Sequence, residues 1–177
     1  GIIATTGCPS GEVQTHLRLG QYDKAIEFAS KLVDIFGHDY VYLELMDHGM
    51  KSNIERRVRG DLMRLGKELN LPLLATNDAH YANPQKTGEN LPDWQLHEEM
   101  LAIQTHAVMS EPCDYDGGTR FGFDSHEYYL KSSAEMLERF PEDEYPGAIS
   151  NTLEVAERCT AKLEHDDDLR PRIPLPE

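Results

Sequence analysis

The sequence predicts an α/β fold in which helices connect parallel strands. Three observations lead to this prediction. Short apolar runs rich in β-branched residues alternate with segments of helical periodicity. Capping residues precede several of the helical segments. The order strand, helix, strand is typical of consecutive right-handed crossover units in a parallel sheet or barrel.

The first half of the chain predicts three strands. They are expected at residues 1–6, 40–46 and 73–77. Between the first two strands, Ser10 is predicted to cap a brief helix, and Asp23 is predicted to cap a longer one that ends at Gly37. Before the third strand, Ser52 and Glu55 form a capping box that begins a helix with an apolar stripe.

After Pro84 the pattern changes to a mostly helical extension. The elements predicted there are a loop at 85–92, a helix capped by Asp93, an excursion without periodicity at 107–125, a short strand at 127–130, a helix with a capping box at Ser132 and Glu135, and a helix beginning at Pro146. The chain is therefore divided into βα units at 1–84, an extension at 85–164 and a proline-rich linker at 165–177.

Composition limits the classes of function. A chain of 177 residues with 39% hydrophobic content can form one core and a small appendage. Acidic residues outnumber basic ones 32 to 17, and the net charge of −15 should repel nucleic acid phosphates unless metal ions or a local basic patch intervene. The eight histidines moderate this conclusion, because a metal site reverses the local sign of charge.

The chain is expected to be cytoplasmic and without a membrane partner. It has no run of about 18 apolar residues and no secretory leader. An odd number of widely separated cysteines argues against a disulfide framework and fits a reducing compartment. The first residue is Gly rather than Met and the chain ends in RPRIPLPE, which predicts a piece of a longer polypeptide.

Asp78 and His80 follow the third predicted strand in the stretch LLATNDAHYANP. Groups at i and i+2 on a strand point to one face, roughly 6.6 Å apart. In α/β proteins the carboxyl ends of strands are where sites are built. The alternative is that Asp78 caps the following turn and His80 is an ordinary loop histidine, and spacing alone leaves both readings open.

Two other strand ends carry metal-capable residues. Cys8 follows the first strand and His48 follows the second, so these side chains should converge with Asp78 at one edge. Thiolate, imidazole and carboxylate are ligands for zinc, and hard oxygen ligands also admit manganese or iron. As alternatives, Cys8 is a small buried hydrophobe and His48 a turn residue. Glu44, on the second strand, is a further candidate ligand or the partner of a lysine or arginine, since an unpaired buried carboxylate is costly.

Other motifs are weaker. Asp114 and Asp116 form a D-x-D pair beside Gly117, and we interpret them as turn-forming residues, with a metal site as the alternative. No P-loop, dinucleotide fingerprint or G-x-S-x-G motif occurs.

Six segments carry a resemblance to a known family. They are GCPSGEVQTHLRLGQYDKA, YLELMDHG, LPLLATNDAHY, MLAIQTH, EYYLKSSAEM and NTLEVAERC. In this order they resemble the polymerase and histidinol phosphatase (PHP) domain of the bacterial DNA polymerase III alpha subunit, in its actinobacterial form. The last three are specific to the polymerase subunit rather than to the small phosphatases.

The resemblance implies a partial (β/α)7 TIM-like barrel, whose intact form has a carboxyl-end site for up to three divalent metals. Asp78 and His80 match the family's NDAHY motif, and Cys8 matches its strand-end cysteine. The family's H-x-H motif and several further ligands would lie before Gly1. The resemblance assigns no catalytic residue to this chain and places the polymerase's own Mg²⁺ site downstream of it.

The resemblance also implies a function. The parent would be a DNA-directed DNA polymerase whose partners are DNA, the sliding clamp and the clamp loader. Its PHP domain would be a metal-dependent phosphodiesterase and, in some members, a proofreading 3′ to 5′ exonuclease, while this chain alone is expected to be inactive. Two alternatives stay open: a non-catalytic module that braces the polymerase or docks a partner, and a free-standing phosphoesterase of the histidinol phosphatase type, which should lack LKSSAEM and NTLEVAERC.

Overall fold

The computed structural model describes residues 1–50, 54–84 and 91–162, and it contains a small parallel sheet with helices packed around it. The strands are β1 (Ala4–Thr5), β2 (Val41–Leu45) and β3 (Leu73–Ala75), in the order β1-β2-β3. Both neighbouring pairs are parallel, with Ala4 opposite Val41 and Leu43 opposite Leu73. The predicted α/β class with parallel strands is confirmed, and closure into a barrel stays a prediction.

Six α-helices lie in the described part of the chain. They are α1 (Glu12–Arg18), α2 (Tyr22–Phe36), α3 (Ile54–Leu69), α4 (Asp93–Gln104), α5 (Ser133–Arg139) and α6 (Ser150–Arg158). Helices α1 and α2 connect β1 to β2, and α3 connects β2 to β3, as predicted. Among the described residues, no helix is long and apolar enough to cross a membrane.

Two of the predicted helix boundaries are confirmed. Helix α2 ends at Gly37, whose φ of 90° is a conformation that glycine adopts without a steric penalty. Helix α5 begins with the predicted capping box, in which the Ser132 hydroxyl accepts from the Glu135 backbone N–H and the Glu135 side chain accepts from the Ser132 N–H.

Other predicted caps are wrong by one or two positions. Helices α1, α2 and α4 are preceded by Gly11, Gln21 and Pro92, and none of these makes a side-chain capping hydrogen bond. Asp23 and Asp93 instead lie within the first turns, where a negative charge interacts favourably with the helix dipole. Ser52, the predicted first half of the other capping box, lies outside the described residues.

The core is centred on β2, which is buried on both faces. It is formed by Val41, Leu43 and Leu45 of β2 with Leu17, Ala25, Ala29, Val58, Leu62 and Leu65 of α1, α2 and α3. Burial of each of the larger aliphatic side chains contributes ~1.5–3 kcal/mol. Residues beyond the predicted boundary at 84 join the same core through Phe140 and Ala148. The backbone N–H of Ala75 donates to the Ala148 carbonyl oxygen at 2.8 Å.

The structure differs from the prediction where the strands were expected to continue. Strand β3 ends at Ala75, and Asp78 has a φ of 42°, so Asp78 and His80 lie in a loop rather than on one face of a strand. The strand predicted at 127–130 is reduced to an isolated bridge between Tyr81 and Tyr129. This segment pairs with the loop after β3 instead of joining the sheet.

Two parts of the excursion at 107–125 pair with each other. A bridge between Cys113 and Arg120 encloses a single 3₁₀ turn, Asp114–Asp116, which confirms the turn prediction for these aspartates. A Cβ at Gly118 would lie only 2.0 Å from the Pro112 carbonyl oxygen, so the turn requires glycine there. The predicted linker at 165–177 and most of the predicted loop at 85–92 lie outside the described residues.

Candidate metal centre

Three of the candidate ligands line a single cleft. Cys8 follows β1, and Asp78 and His80 follow β3; all three border a cavity of about 960 Å³. Carboxyl ends of neighbouring parallel strands lie at the same edge of a sheet, where α/β proteins build their sites. The sequence therefore picked out residues from two strand ends, distant along the chain, that line the same cleft.

The loop after β3 gives His80 a fixed orientation. Its Nδ1 lies 2.5 Å from the backbone oxygen of Asp78, so Nδ1–H donates and Nε2 is left as the acceptor nitrogen of the ring. The His80 backbone N–H donates to the Tyr128 carbonyl oxygen at 2.8 Å. The ring contacts Phe123 and His97, with centroids 4.9 and 5.1 Å away. Burial and the neighbouring His80 lower the pKa of His97.

Cys8 reaches the cleft from the turn between β1 and α1. Its backbone oxygen accepts from the Gly11 N–H at 2.8 Å, which closes the turn. A Cβ at Gly11 would lie 2.6 Å from the Thr6 carbonyl oxygen, so only glycine fits beside the end of β1. The thiol of Cys8 is free and half-buried.

His48 is turned away from the cleft and into the protein, where it is 1% exposed. Its Nδ1 lies 2.6 Å from Glu55 Oε1, and its Nε2 lies 2.9 Å from the Asn77 carbonyl oxygen. Each ring nitrogen therefore faces an oxygen atom, one on α3 and one in the loop after β3. Burial raises the pKa of Glu55, but the hydrogen bonds from His48 outweigh it and the pKa is lowered. The ring also stacks on Tyr128, with centroids 3.8 Å apart.

Glu44 is paired with hydroxyl groups rather than with the lysine or arginine considered from the sequence. Thr5 Oγ1 donates to one carboxylate oxygen at 2.5 Å, and Thr76 Oγ1 donates to the other at 2.6 Å. The Glu44 backbone N–H donates to Thr6 Oγ1 at 2.9 Å. These bonds connect β2 to the ends of both neighbouring strands and compensate the carboxylate for lost hydration.

The donor chemistry of Cys8, Asp78 and His80 suits zinc, manganese or iron. The N–H of His80 also meets a backbone carbonyl, which is the partner that usually orients a metal-ligating histidine. However, within residues 1–50, 54–84 and 91–162 no three His, Cys, Asp or Glu side chains are grouped closely enough to hold an ion. Cys8, Asp78 and His80 line one cleft but do not form a three-ligand group there, so the metal site stays a prediction.

Several residues that line the cleft were not identified from the sequence. They include Arg18 of α1 and, from the second half of the chain, Phe121, Phe123, Asp124 and Tyr128. The available signal was the pattern FGFD, in which two aromatic residues alternate inside a segment without other periodicity. Nothing local in that pattern indicates which cleft the rings would line.

Comparison with known proteins identifies similar sequences. Residues 1–48 match the PHP domain. The whole chain is 48% identical to the DNA polymerase III subunit alpha of Mycobacterium tuberculosis, over 14% of that protein. The corresponding subunits of Mycobacterium leprae and Saccharopolyspora erythraea are 46% and 48% identical over 99% and 89% of the chain, and 13% and 12% of their own lengths. The chain thus spans about one seventh of the curated relatives it matches. The chain therefore carries a match to the PHP domain and is similar over its whole length to the alpha subunit of actinobacterial DNA polymerase III.

Proposed function

We propose that the cleft is part of a metal-dependent phosphodiesterase site, which acts as a proofreading 3′ to 5′ exonuclease in the alpha subunit of a DNA polymerase III. The observation that carries this proposal is the convergence of Cys8, Asp78 and His80 on one cleft at the strand ends. In the proposal, β1, β2 and β3 are consecutive strands of a seven-stranded barrel. The segment 85–164 leads towards the polymerase thumb and palm.

The charge of the cleft explains why such a site needs metal ions. Asp78, Asp114 and Asp124 line the cleft with a single arginine, Arg18. An acidic cavity of this kind repels phosphate. Zinc, manganese or iron, when bound, would supply the positive charge that attracts and polarises a phosphodiester. In the proposal, the Cys8 thiol, the Asp78 carboxylate and Nε2 of His80 hold the ions, and donors from outside the described residues complete the site.

The proposed setting is a polymerase polypeptide whose Mg²⁺-dependent nucleotidyl transfer site lies downstream of this chain. DNA would be its substrate, the sliding clamp and the clamp loader its partners, and the cytoplasm its location. The similarity to polymerase alpha subunits extends over the whole chain, including LKSSAEM and NTLEVAERC. It therefore favours the polymerase over a free-standing histidinol phosphatase.

The test is metal-dependent shortening of a single-stranded oligonucleotide by the complete polymerase polypeptide. Asp78→Asn should lower the rate with Mn²⁺ at least tenfold and lower the bound metal, because it removes a charged donor. Asp34→Asn is the matched control, since Asp34 is exposed on α2 outside the cleft. Equal rates and equal metal content in both variants would remove Asp78 from the site. The 177-residue chain alone should show no turnover.

A second candidate function is a non-catalytic module that braces the polymerase or docks a partner. It is favoured by the incomplete donor set, because the described residues hold no group of three metal-capable side chains. Under this alternative, Asp78→Asn in the polymerase polypeptide would leave metal content and hydrolysis unchanged. It would instead change only the stability of the polypeptide or its affinity for a partner.

A further inference from the structure

We propose that the cleft binds one unpaired nucleobase, which stacks on Phe121 and donates a hydrogen bond from its amino group to Asp124. The inference rests on the proposed function, because it names the part of a nucleic acid substrate that the same cleft would recognise. It adds a wall of side chains from the second half of the chain to the strand-end residues.

The proposal depends first on aromatic side chains that line the cleft. Phe121, Phe123 and Tyr128 all border the cleft. Their rings form a continuous series, with centroids 5.9 Å apart for Phe121 and Phe123 and 4.4 Å apart for Phe123 and Tyr128. Phe121 is the outer member and is 46% exposed. Single-stranded nucleic acids stack their bases on aromatic side chains placed in this way.

The residues on both sides of Phe121 are packed against other parts of the chain before any ligand arrives. A Cβ at the next residue, Gly122, would lie 2.7 Å from Cys113 Sγ, so the backbone there packs directly against the preceding turn. On the other side, the buried guanidinium of Arg120 contacts Glu98 at 3.5 Å and donates to the Glu111 carbonyl oxygen at 3.1 Å. A platform that is already ordered loses little conformational freedom on binding.

The carboxylate of Asp124 is the second feature that a base would contact. It borders the cleft, and its Oδ1 is buried without a hydrogen-bond donor among the described residues. Removing a carboxylate from water without giving it a donor is unfavourable. A ligand amino group that donates to this carboxylate would offset that cost, and carboxylates accept hydrogen bonds from the exocyclic amino groups of bases.

The size and charge of the cleft also fit a nucleotide. The cleft of about 960 Å³ lies within the range of small-molecule sites and is large enough for a nucleotide. Arg18 borders the same cavity and offers a positive charge to a phosphate. A flat ring with a hydrogen-bond donor at its edge matches both the aromatic side chains and the Asp124 carboxylate, whereas a phosphate alone matches neither.

The experiment measures binding of a short single strand that ends in 2-aminopurine and has uncharged methylphosphonate linkages. These linkages make binding independent of metal ions and resistant to hydrolysis. The 177-residue chain should quench the fluorescence of the base through stacking. Phe121→Ala should weaken binding roughly 5- to 100-fold, and Phe121→Tyr, which keeps an aromatic face, should stay within about twofold of the wild type. Tyr40→Ala is the matched control, because Tyr40 is 42% exposed and lies outside this cleft.

Competition by unlabelled strands tests the role of Asp124. A strand that ends in 2-aminopurine should compete several-fold better than one that ends in unsubstituted purine, and Asp124→Ala should abolish this difference. An abasic strand that competes equally well, or a Phe121→Ala chain that binds like wild type, would overturn the inference.

The outcomes also separate the inference from the proposed function. Base binding without metal-dependent hydrolysis in the complete polymerase would reject the exonuclease and keep the base site. Hydrolysis that depends on Asp78, together with unchanged base binding in Phe121→Ala, would do the reverse.

Discussion

Nε2 of His48 lies 2.9 Å from the carbonyl oxygen of Asn77, the residue directly before Asp78. Nδ1 of the same ring lies 2.6 Å from Glu55 Oε1. One buried imidazole therefore links the end of β2 and the first turn of α3 to the loop that carries two candidate ligands. His48 does not line the cleft itself; it contacts the backbone of this loop from the buried side.

We expect His48→Ala to destabilise the chain by about 3 kcal/mol. The substitution removes the imidazole that pairs with one oxygen of the buried Glu55 carboxylate, while the other oxygen keeps the backbone N–H of residue 48, and loss of one member of a buried pair is costly. The free energy of unfolding in urea measures the effect. His38→Ala is the control, because the side chain of His38 is 45% exposed and its loss should cost less than about 1 kcal/mol. Equal losses in the two variants would show that the buried pair contributes nothing specific.

Two glycine substitutions should change stability in opposite directions. Gly118→Ala places a Cβ 2.0 Å from the Pro112 carbonyl oxygen, so the turn must open, at a cost of about 2 kcal/mol or more. Gly60→Ala lies within α3 with nothing within 4 Å of the new Cβ, and it should stabilise by ~0.5–1 kcal/mol because alanine favours helix. Melting temperatures of both variants check the prediction. A stable Gly118→Ala chain would show that the close approach in this turn is absent in solution.

The capping box of α5 should make stability depend on pH. Hydrogen bonds from Tyr129 and Ser132 lower the pKa of Glu135 from its ordinary 4.5 to about 2. Because the folded-state pKa lies below the unfolded one, the ionised carboxylate stabilises the fold above about pH 4.5, and this contribution is lost as the pH falls through about 2. The urea midpoint of wild type minus that of Glu135→Gln should therefore shrink over this window. Glu138→Gln is the matched control, because Glu138 is exposed on the same helix and lies outside the capping box.

Local signals explain which parts of the fold were predictable. Gly37 ends α2, and the pair Ser132 and Glu135 begins α5, because both act within one turn of chain. Glu55 was assigned to a capping box by the same local rule, yet its side chain binds His48 instead. Burial of both residues in the folded core decides that contact, and sequence spacing does not contain it.

The candidate site was predictable only in outline. Cys8 and Asp78 follow parallel strands, so the strand order alone predicts that both lie at the same edge of the sheet. The left-handed backbone of Asp78 depends on the neighbouring Asn77, whose amide donates to the carbonyl oxygens of Glu127 and Tyr129 at 2.8 and 2.6 Å. These partners lie far along the chain, so a periodicity rule that extends a strand through residue 77 could not anticipate them.

We propose that Cys8, Asp78 and His80 belong to one metal centre together with further donors, and cobalt absorption tests this proposal most directly. Co²⁺ bound to a thiolate gives a near-ultraviolet charge-transfer band, which reports cysteine ligation whatever the catalytic activity. In the complete polymerase polypeptide, this band should be lost in Cys8→Ser and weakened in Asp78→Asn and His80→Gln. It should persist in Cys159→Ser, because that thiol is exposed at the end of α6. An unchanged band in Cys8→Ser would exclude Cys8 from the metal centre.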